Sequence, residues 1–421
     1  MSSGCAIAWA WSRPTARVKC IWASLRGTCW AKNSHRFKTG FAMGPLHGLK
    51  VIELAGIGPG PMAAMLMADM GATVLRVDRK EASGLGVPRP ERFDLLLRNR
   101  RSIPLDLKQP VAVNLVLDLV ARSDVLIEGF RPGVTERLGL GPEICLEKNP
   151  KLIYGRITGW GQQGPLANAV GHDINYIALT GALHAIGRAG QAPAVPLNLV
   201  GDFGGGTLYL VMGILAALHE MKSSGNGQVV DAAMVDGVAS LMTQPHGTFA
   251  AGMMSNERGS NITDSGAPFY DVYACSDDKW VSIGAVEKKF YQEVLRLLGL
   301  DDLLADQWNR ATWPAAKSQI AQVIQTRTRD EWCAVFEETE SCFAPVLTLE
   351  EAPHHPHLQA RGTYVEVDGV TQPAPAPRFS RSVASTPKAF QPWNRNDAQE
   401  ILGPWLDASQ VLAVRDAGLI D

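Results

Sequence analysis

Leu49-Lys50-Val51-Ile52-Glu53-Leu54, the turn Gly56-Ile57-Gly58-Pro59-Gly60-Pro61, the apolar stretch Met62 to Met70, and Thr73-Val74-Leu75-Arg76-Val77-Asp78 decide the fold class. The first and last segments are rich in β-branched and aliphatic residues and read as strands. The middle segment follows a proline that suits a first helical turn and stops at Gly71. Strand, helix and strand in this order form a βαβ unit, the seed of a parallel sheet with helices on its faces. Gly56 and Gly58 begin a G-x-G, and Asp78 lies about 20 residues further on, which invites a dinucleotide-binding reading. The third glycine of that fingerprint falls at Pro61, so the fingerprint fails and the glycines are read as a tight strand-to-helix turn.

The alternation continues outward. A helix is predicted from about Val111 to Ala121, a strand from Asp124 to Glu128, and another from Leu152 to Thr158. Gly159-Trp160-Gly161-Gln162-Gln163-Gly164-Pro165 reads as a loop. Helices are expected around Asp173 to Ile186 and Gly205 to Met221, then a strand from Gln228 to Ala232. Strands at Phe269 to Ala274 and Trp280 to Ile283 open a smaller α+β region, and the chain turns Pro-rich from Thr363 to Arg381. The expected plan is an extension over 1–42, a large α/β domain over 43–232, a linker over 233–260, a small domain over 261–355, and a return segment with a tail over 356–421.

Composition narrows the function classes. The chain has 421 residues, 46% hydrophobic and 19% charged, with a formal net charge of −2. No general attraction to nucleic acid follows from such a balance. The richest apolar run, Leu208 to Leu218, is too short for a membrane span and reads as a buried helix. Seven scattered cysteines with no C-x-x-C spacing argue against a zinc site or a disulfide framework, and for a reducing compartment. No metal and no separate cofactor is expected. The first 42 residues carry seven Lys or Arg and no Asp or Glu. They read either as a mitochondrial transit peptide or as a segment ahead of a working start at Met43, the latter with a cytoplasmic location.

Four clusters could carry chemistry. Gly171-His172-Asp173-Ile174-Asn175-Tyr176 opens a helix, where the positive end of the dipole favours a neutral histidine, or where His172 and Asp173 simply cap. Val200-Gly201-Asp202-Phe203-Gly204-Gly205-Gly206 places an acid before a glycine run; it is an N-cap or an acid that meets a ligand. Arg98-Asn99-Arg100-Arg101, with Lys108, Arg79, Arg131 and Arg137, follows the ends of several strands. There α/β sheets place ligands, and these residues are read either as a solvated face or as scattered cations for phosphates. Glu287, after the second small-domain strand, is a helix-start acid unless it faces another group.

Taken together, these clusters resemble one family. Glu53-Leu54-Ala55-Gly56, Asp124 to Val134, Gly171 to Tyr176, Pro196-Leu197-Asn198-Leu199, Gly201 to Gly206, Ser265 to Tyr270 and Gly284 to Glu287 occur in order, over about Gly44 to Arg381. The stretch is similar to the α-methylacyl-CoA racemases, a branch of the family III (CaiB/BaiF-type) CoA-transferase superfamily. The resemblance implies a Rossmann-like parallel-sheet large domain, a smaller α+β domain, and an interlocked homodimer with its site between the two subunits. It implies His172 and Asp202 as acid/base groups and Glu287 as support for the histidine. It implies a CoA site from Arg79, Leu105, Asp106, Leu107, Lys108, Gly129, Phe130, Arg131, Arg137, Gly171, Asp173, Ile174, Asn175 and Tyr176. Coenzyme A then belongs to the substrate, a 2-methylacyl-CoA. Two features depart from the pattern: Lys288-Lys289 stand where the family often has Pro-Gln, and Lys80 to Pro90 adds residues after Arg79. The rival chemistry is CoA transfer between carboxylic acids with Asp202 as nucleophile. That mechanism has no need of His172.

Overall fold

The structure, a computed structural model, describes residues 43–81 and 84–420. The expectations for residues 1–42 therefore lie outside the described residues. Six parallel strands form the main sheet: β1 (Lys50–Leu54), β2 (Thr73–Asp78), β3 (Arg101–Pro104), β4 (Val125–Glu128), β5 (Ile153–Thr158) and β6 (Gln228–Ala233), in the order β3-β2-β1-β4-β5-β6. β1 pairs with β2 on one side and β4 on the other, so the order reverses beside β1. In open parallel sheets that reversal leaves a crevice at the carboxyl ends of the strands, where ligands bind.

Both faces of this sheet are covered, as a parallel sheet requires. Helix α1 (Pro59–Asp69) packs on the face carrying Val51, Val74, Val125 and Ile127. Helix α2 (Pro110–Val120) packs on the opposite face, against Ile52, Leu75, Leu126 and Tyr154. Each fully buried aliphatic side chain of these layers contributes roughly 1.5–3 kcal/mol of burial. The predicted helix over 173–186 is two pieces. Helix α3 (Asp173–Leu179) ends before Gly181, whose left-handed φ of 82° breaks the run. The segment Leu199–Thr207 winds as a wide π-helical turn and leads into α4 (Leu208–Ser224).

Leu199–Ser224 together are 26 residues and apolar enough, by length and composition, to cross a bilayer. One face, with Leu210, Val211, Ile214, Ala217 and Leu218, is packed into the sheet core, which is the pattern of a core helix. After α5 (Met234–Leu241) the chain builds a second, antiparallel sheet of β7 (Tyr270–Ala274), β8 (Trp280–Gly284) and β9 (Phe343–Val346). Helices α6 (Lys288–Leu298), α7 (Trp313–Ile324) and α8 (Arg329–Phe336) close over it around Phe269, Tyr291, Trp313 and Trp332. A hairpin, β10 (Tyr364–Val367) and β11 (Val370–Pro373), follows. The last helices, α9 (Ala398–Leu402) and α10 (Ala408–Asp416), pack into the α2 face of the main sheet.

The basic run at residues 98–101 departs most from the sequence reading. Its last residue starts β3, and its charges are spent within the protein. Arg98 pairs with buried Asp69 at 2.5 Å and donates to Gln372 at 3.0 Å. Arg100, 2% exposed, pairs with Glu53, and Arg101 pairs with Asp397 at 2.8 Å. These three cations are structural and not a phosphate site. A run of charges reads as a solvated face or a ligand site because sequence does not display partners 29 to 296 residues away.

Candidate active site

His172 and Asp202 come from two helix beginnings near the carboxyl ends of the central strands. His172 is the residue just before α3, in extended backbone, with an exposed side chain. Its N–H donates to Asn175 Oδ1 at 3.0 Å and its carbonyl accepts the Asn175 N–H at 2.8 Å, a reciprocal cap that fixes the turn. The Tyr176 hydroxyl donates to the Gly171 carbonyl, and its ring meets Trp160 edge-on with centroids 4.8 Å apart. The segment that carries His172 is thus held from both sides.

Asp202 lies in the first turn of the π-helical run. Its main-chain N–H donates to Asp173 Oδ2 at 2.7 Å, and Asn198 Nδ2 donates to its carboxylate at 3.1 Å. Gly58, in the turn after β1, has φ of 66°, and a Cβ there would stand 3.1 Å from Asp202 Oδ2. The turn first weighed as a dinucleotide fingerprint therefore makes room for an acid. Burial pushes the Asp202 carboxyl above its ordinary value; Asp173 adds to the rise, while the Asn198 hydrogen bond and nearby His172 oppose it. Burial also pushes Tyr176 up to about 12, with Asp202 as a second cause. These mutual influences bring His172, Asp173, Tyr176 and Asp202 into one electrostatic group.

Glu287 sits elsewhere in the chain, exposed, as the residue before α6. Among the described residues it makes no hydrogen bond or ion pair with His172 or Asp202. The remaining expected ligand contacts follow strand ends: Arg79 after β2, residues 105–108 after β3, and residues 129–131 after β4. The Arg79 guanidinium lies 5.9 Å from the centre of the Phe130 ring. Arg79, Lys108, Arg131 and Arg137 are exposed and join none of the ion pairs among the described residues, unlike Arg98, Arg100 and Arg101. Leu105 is 1% exposed and belongs to the core, and Leu107 packs against it. Asp106 accepts from the Lys108 N–H at 3.1 Å in a local turn. Gly129 follows directly on β4, and Ile174 and Asn175 are exposed in the first turn of α3. Asp173 is 5% exposed and turns its carboxylate to the Asp202 main chain.

Sequence reading had no role for Asn198 or Gly58. Asn198 stands four residues before Asp202, a helical-neighbour spacing that could have marked it. Gly58 carried no such signal, because its partner is 144 residues away.

With this geometry in hand, the chain is found to belong to CoA-transferase family III, whose profile matches residues 46–394. Within that class it is 46% identical to the α-methylacyl-CoA racemase of Mus musculus over 342 residues, covering 80% of this chain and 87% of the relative. It is 43% identical to the α-methylacyl-CoA racemase of Homo sapiens over 361 residues, covering 85% of this chain and 92% of the relative. The crystal structure of a CaiB/BaiF family protein from Brucella suis superposes with a TM-score of 0.74 at 26% identity, covering 86% of this chain and all of that one.

Proposed function

We propose that this protein interconverts (2R)- and (2S)-2-methylacyl-CoA thioesters by moving the α-proton between two bases. Inverting a carbon requires proton removal on one face and return on the other, so two groups in complementary protonation states must flank it. The observation that carries the reading is the pairing of exposed His172 with a half-buried Asp202 whose carboxyl is pushed toward its protonated form. Neutral His172 takes the proton from one enantiomer while protonated Asp202 delivers a proton to the opposite face. For the other enantiomer the roles exchange. The enolate formed between these steps needs donors for its oxygen. The first-turn N–H groups of Asp173 and Ile174 have no helical acceptor and suit that task.

Arg79, Lys108, Arg131 and Arg137 are the cations for the phosphates of coenzyme A, with Phe130 beside Arg79. No cofactor beyond the CoA of the substrate enters this chemistry. Glu287 supports His172 from a second copy of the chain, which makes the working unit a homodimer. The racemase relatives support the substrate class.

Incubation with one enantiomer of a 2-methylacyl-CoA in heavy water, without an acceptor acid, tests the reading. Racemisation with α-deuterium uptake is expected. Group transfer that requires a second acid and proceeds without α-exchange would instead establish the covalent route through Asp202.

A further inference from the structure

Asp173 is the buried acid of the group around Asp202, and neither proton transfer uses its side chain. Only 5% of the residue is exposed. One carboxylate oxygen accepts the Asp202 N–H at 2.7 Å; the other, Oδ1, is buried with no hydrogen-bond partner. The chain has made room for this carboxylate, since a Cβ on Gly201 would lie 2.5 Å from Asp173 Oδ2. A buried, half-satisfied carboxylate is costly to keep. An asparagine would serve as well if the only task were to accept an N–H.

We propose that Asp173 is a positioning residue for the proton transfer: its buried carboxylate fixes the main chain of Asp202 and holds a like charge beside the Asp202 carboxyl. The proposal rests on the racemase reading above. Asp202 is the first-turn residue whose N–H has no intrahelical carbonyl to reach, so a carboxylate from α3 takes the place of a cap. Four other groups face Asp202. Asn198 donates to it from the same run, Gly58 leaves space from the β1 turn, His172 stands near it as an opposing charge, and Tyr176 answers to it electrostatically from α3. Of these, only Asp173 combines with burial to favour protonation; Asn198 and His172 pull the other way. Two functions of one side chain follow. Asp173 holds the position of the Asp202 main chain and, together with burial, pushes the Asp202 carboxyl toward its proton-bearing form, the form that returns a proton in one direction of the reaction.

The active form with neutral His172 and protonated Asp202 holds one proton between the two bases, so kcat/KM follows a bell-shaped curve in pH and its alkaline limb reports loss of the Asp202 proton. Asp173→Asn retains an oxygen for the Asp202 N–H but removes the charge. Its alkaline limb should move to lower pH while KM changes little. Asp173→Ala loses the anchor as well, and kcat should fall roughly ten- to hundredfold, the worth of a hydrogen bond to a charged group. Wild-type and variants are compared by α-deuterium uptake from heavy water across pH. An Asp173→Asn variant with the wild-type alkaline limb overturns the proposal while leaving the racemase reading intact. Absence of α-exchange in the wild-type protein removes both. Should Asp173→Asn fail to fold, Gly201→Ala displaces the same carboxylate and must show the same alkaline-limb movement; an unmoved limb there counts equally against the proposal.

Discussion

Replacing Glu53 by Gln tests whether the cations at residues 98–101 are internal partners or ligand contacts. Glu53 has no exposed surface, and each oxygen serves a different guanidinium: Arg76 Nη1 at 2.6 Å, and Arg100 Nη1. Arg76 keeps a second partner in Asp78 at 2.9 Å, but the Arg100 side chain keeps none, because its Nε and Nη2 are already unpartnered. Removing the charge of Glu53 therefore strands a cation in the sheet interior, where breaking a buried pair costs about 3–5 kcal/mol. A typical domain holds about 5–15 kcal/mol in total, so Glu53→Gln should fold with a much lower urea midpoint and an unchanged slope. Arg100→Met in the same background removes the stranded charge and should recover much of the loss. Arg101→Met, at a pair whose acids are well exposed, should cost no more than about 1 kcal/mol. Urea melts of the four proteins, with CoA affinity measured at two salt concentrations, decide the matter. A loss below about 1 kcal/mol in Glu53→Gln, or a reduced salt dependence of CoA binding in Arg101→Met, would refute the internal role.

Gly58→Ala should lower kcat strongly and cost about 1–2 kcal/mol of stability, because it places a Cβ at positive φ beside Asp202; steady-state kinetics and melting check both. Asn198→Ala removes the hydrogen bond that favours ionised Asp202, so the alkaline limb of kcat/KM should move to higher pH, opposite to Asp173→Asn. For stability the sign is the reverse of a salt-bridged acid. The folded protein holds the Asp202 proton more tightly than the unfolded chain, so this contribution is full below the ordinary carboxylate range and is lost as pH rises through the raised value. Asp202→Asn should accordingly melt higher than wild type above that window while losing α-exchange, and equal melting across pH would count against it. Arg131→Ala and Arg79→Ala should raise KM for the CoA thioester with a weaker salt dependence and little change in kcat, read from kinetics at two ionic strengths.

Much of the fold was legible because the main-sheet strands carry their own signal. Val51-Ile52, Val74-Leu75 and Val125-Leu126-Ile127 are apolar on both faces, as central parallel strands must be, and each sits beside a turn rich in Gly, Pro or Asp. β3 escaped because its charge-bearing start, Arg100-Arg101, looks solvated unless Glu53 and Asp397 are known to wait for it. β9 escaped because Phe343–Val346 is four residues long and carries a proline. The helix over 173–186 was overextended because a glycine within an apolar period does not reveal its handedness, and at Gly181 the handedness ends the helix. At the site, local chemistry named the acid candidates, but their roles depend on contacts such as Asp173 with the Asp202 main chain, 29 residues apart.

The two proposed bases stand on different kinds of helix start. His172 precedes a short helix and stays exposed, with its cap made by Asn175. Asp202 sits inside a wide π-helical turn that leads into a long core helix; such turns concentrate at functional positions because they aim a side chain away from the regular ladder. The positive end of a helix would ordinarily favour an ionised acid. Burial outweighs it here and Asp173 adds to the rise, so the carboxyl moves toward the proton-bearing form. A rise in the Asp202 carboxyl favours the proposed proton return over nucleophilic attack, since the protonated form attacks a thioester poorly. The burial that suits proton return therefore disfavours the covalent transfer route through the same residue.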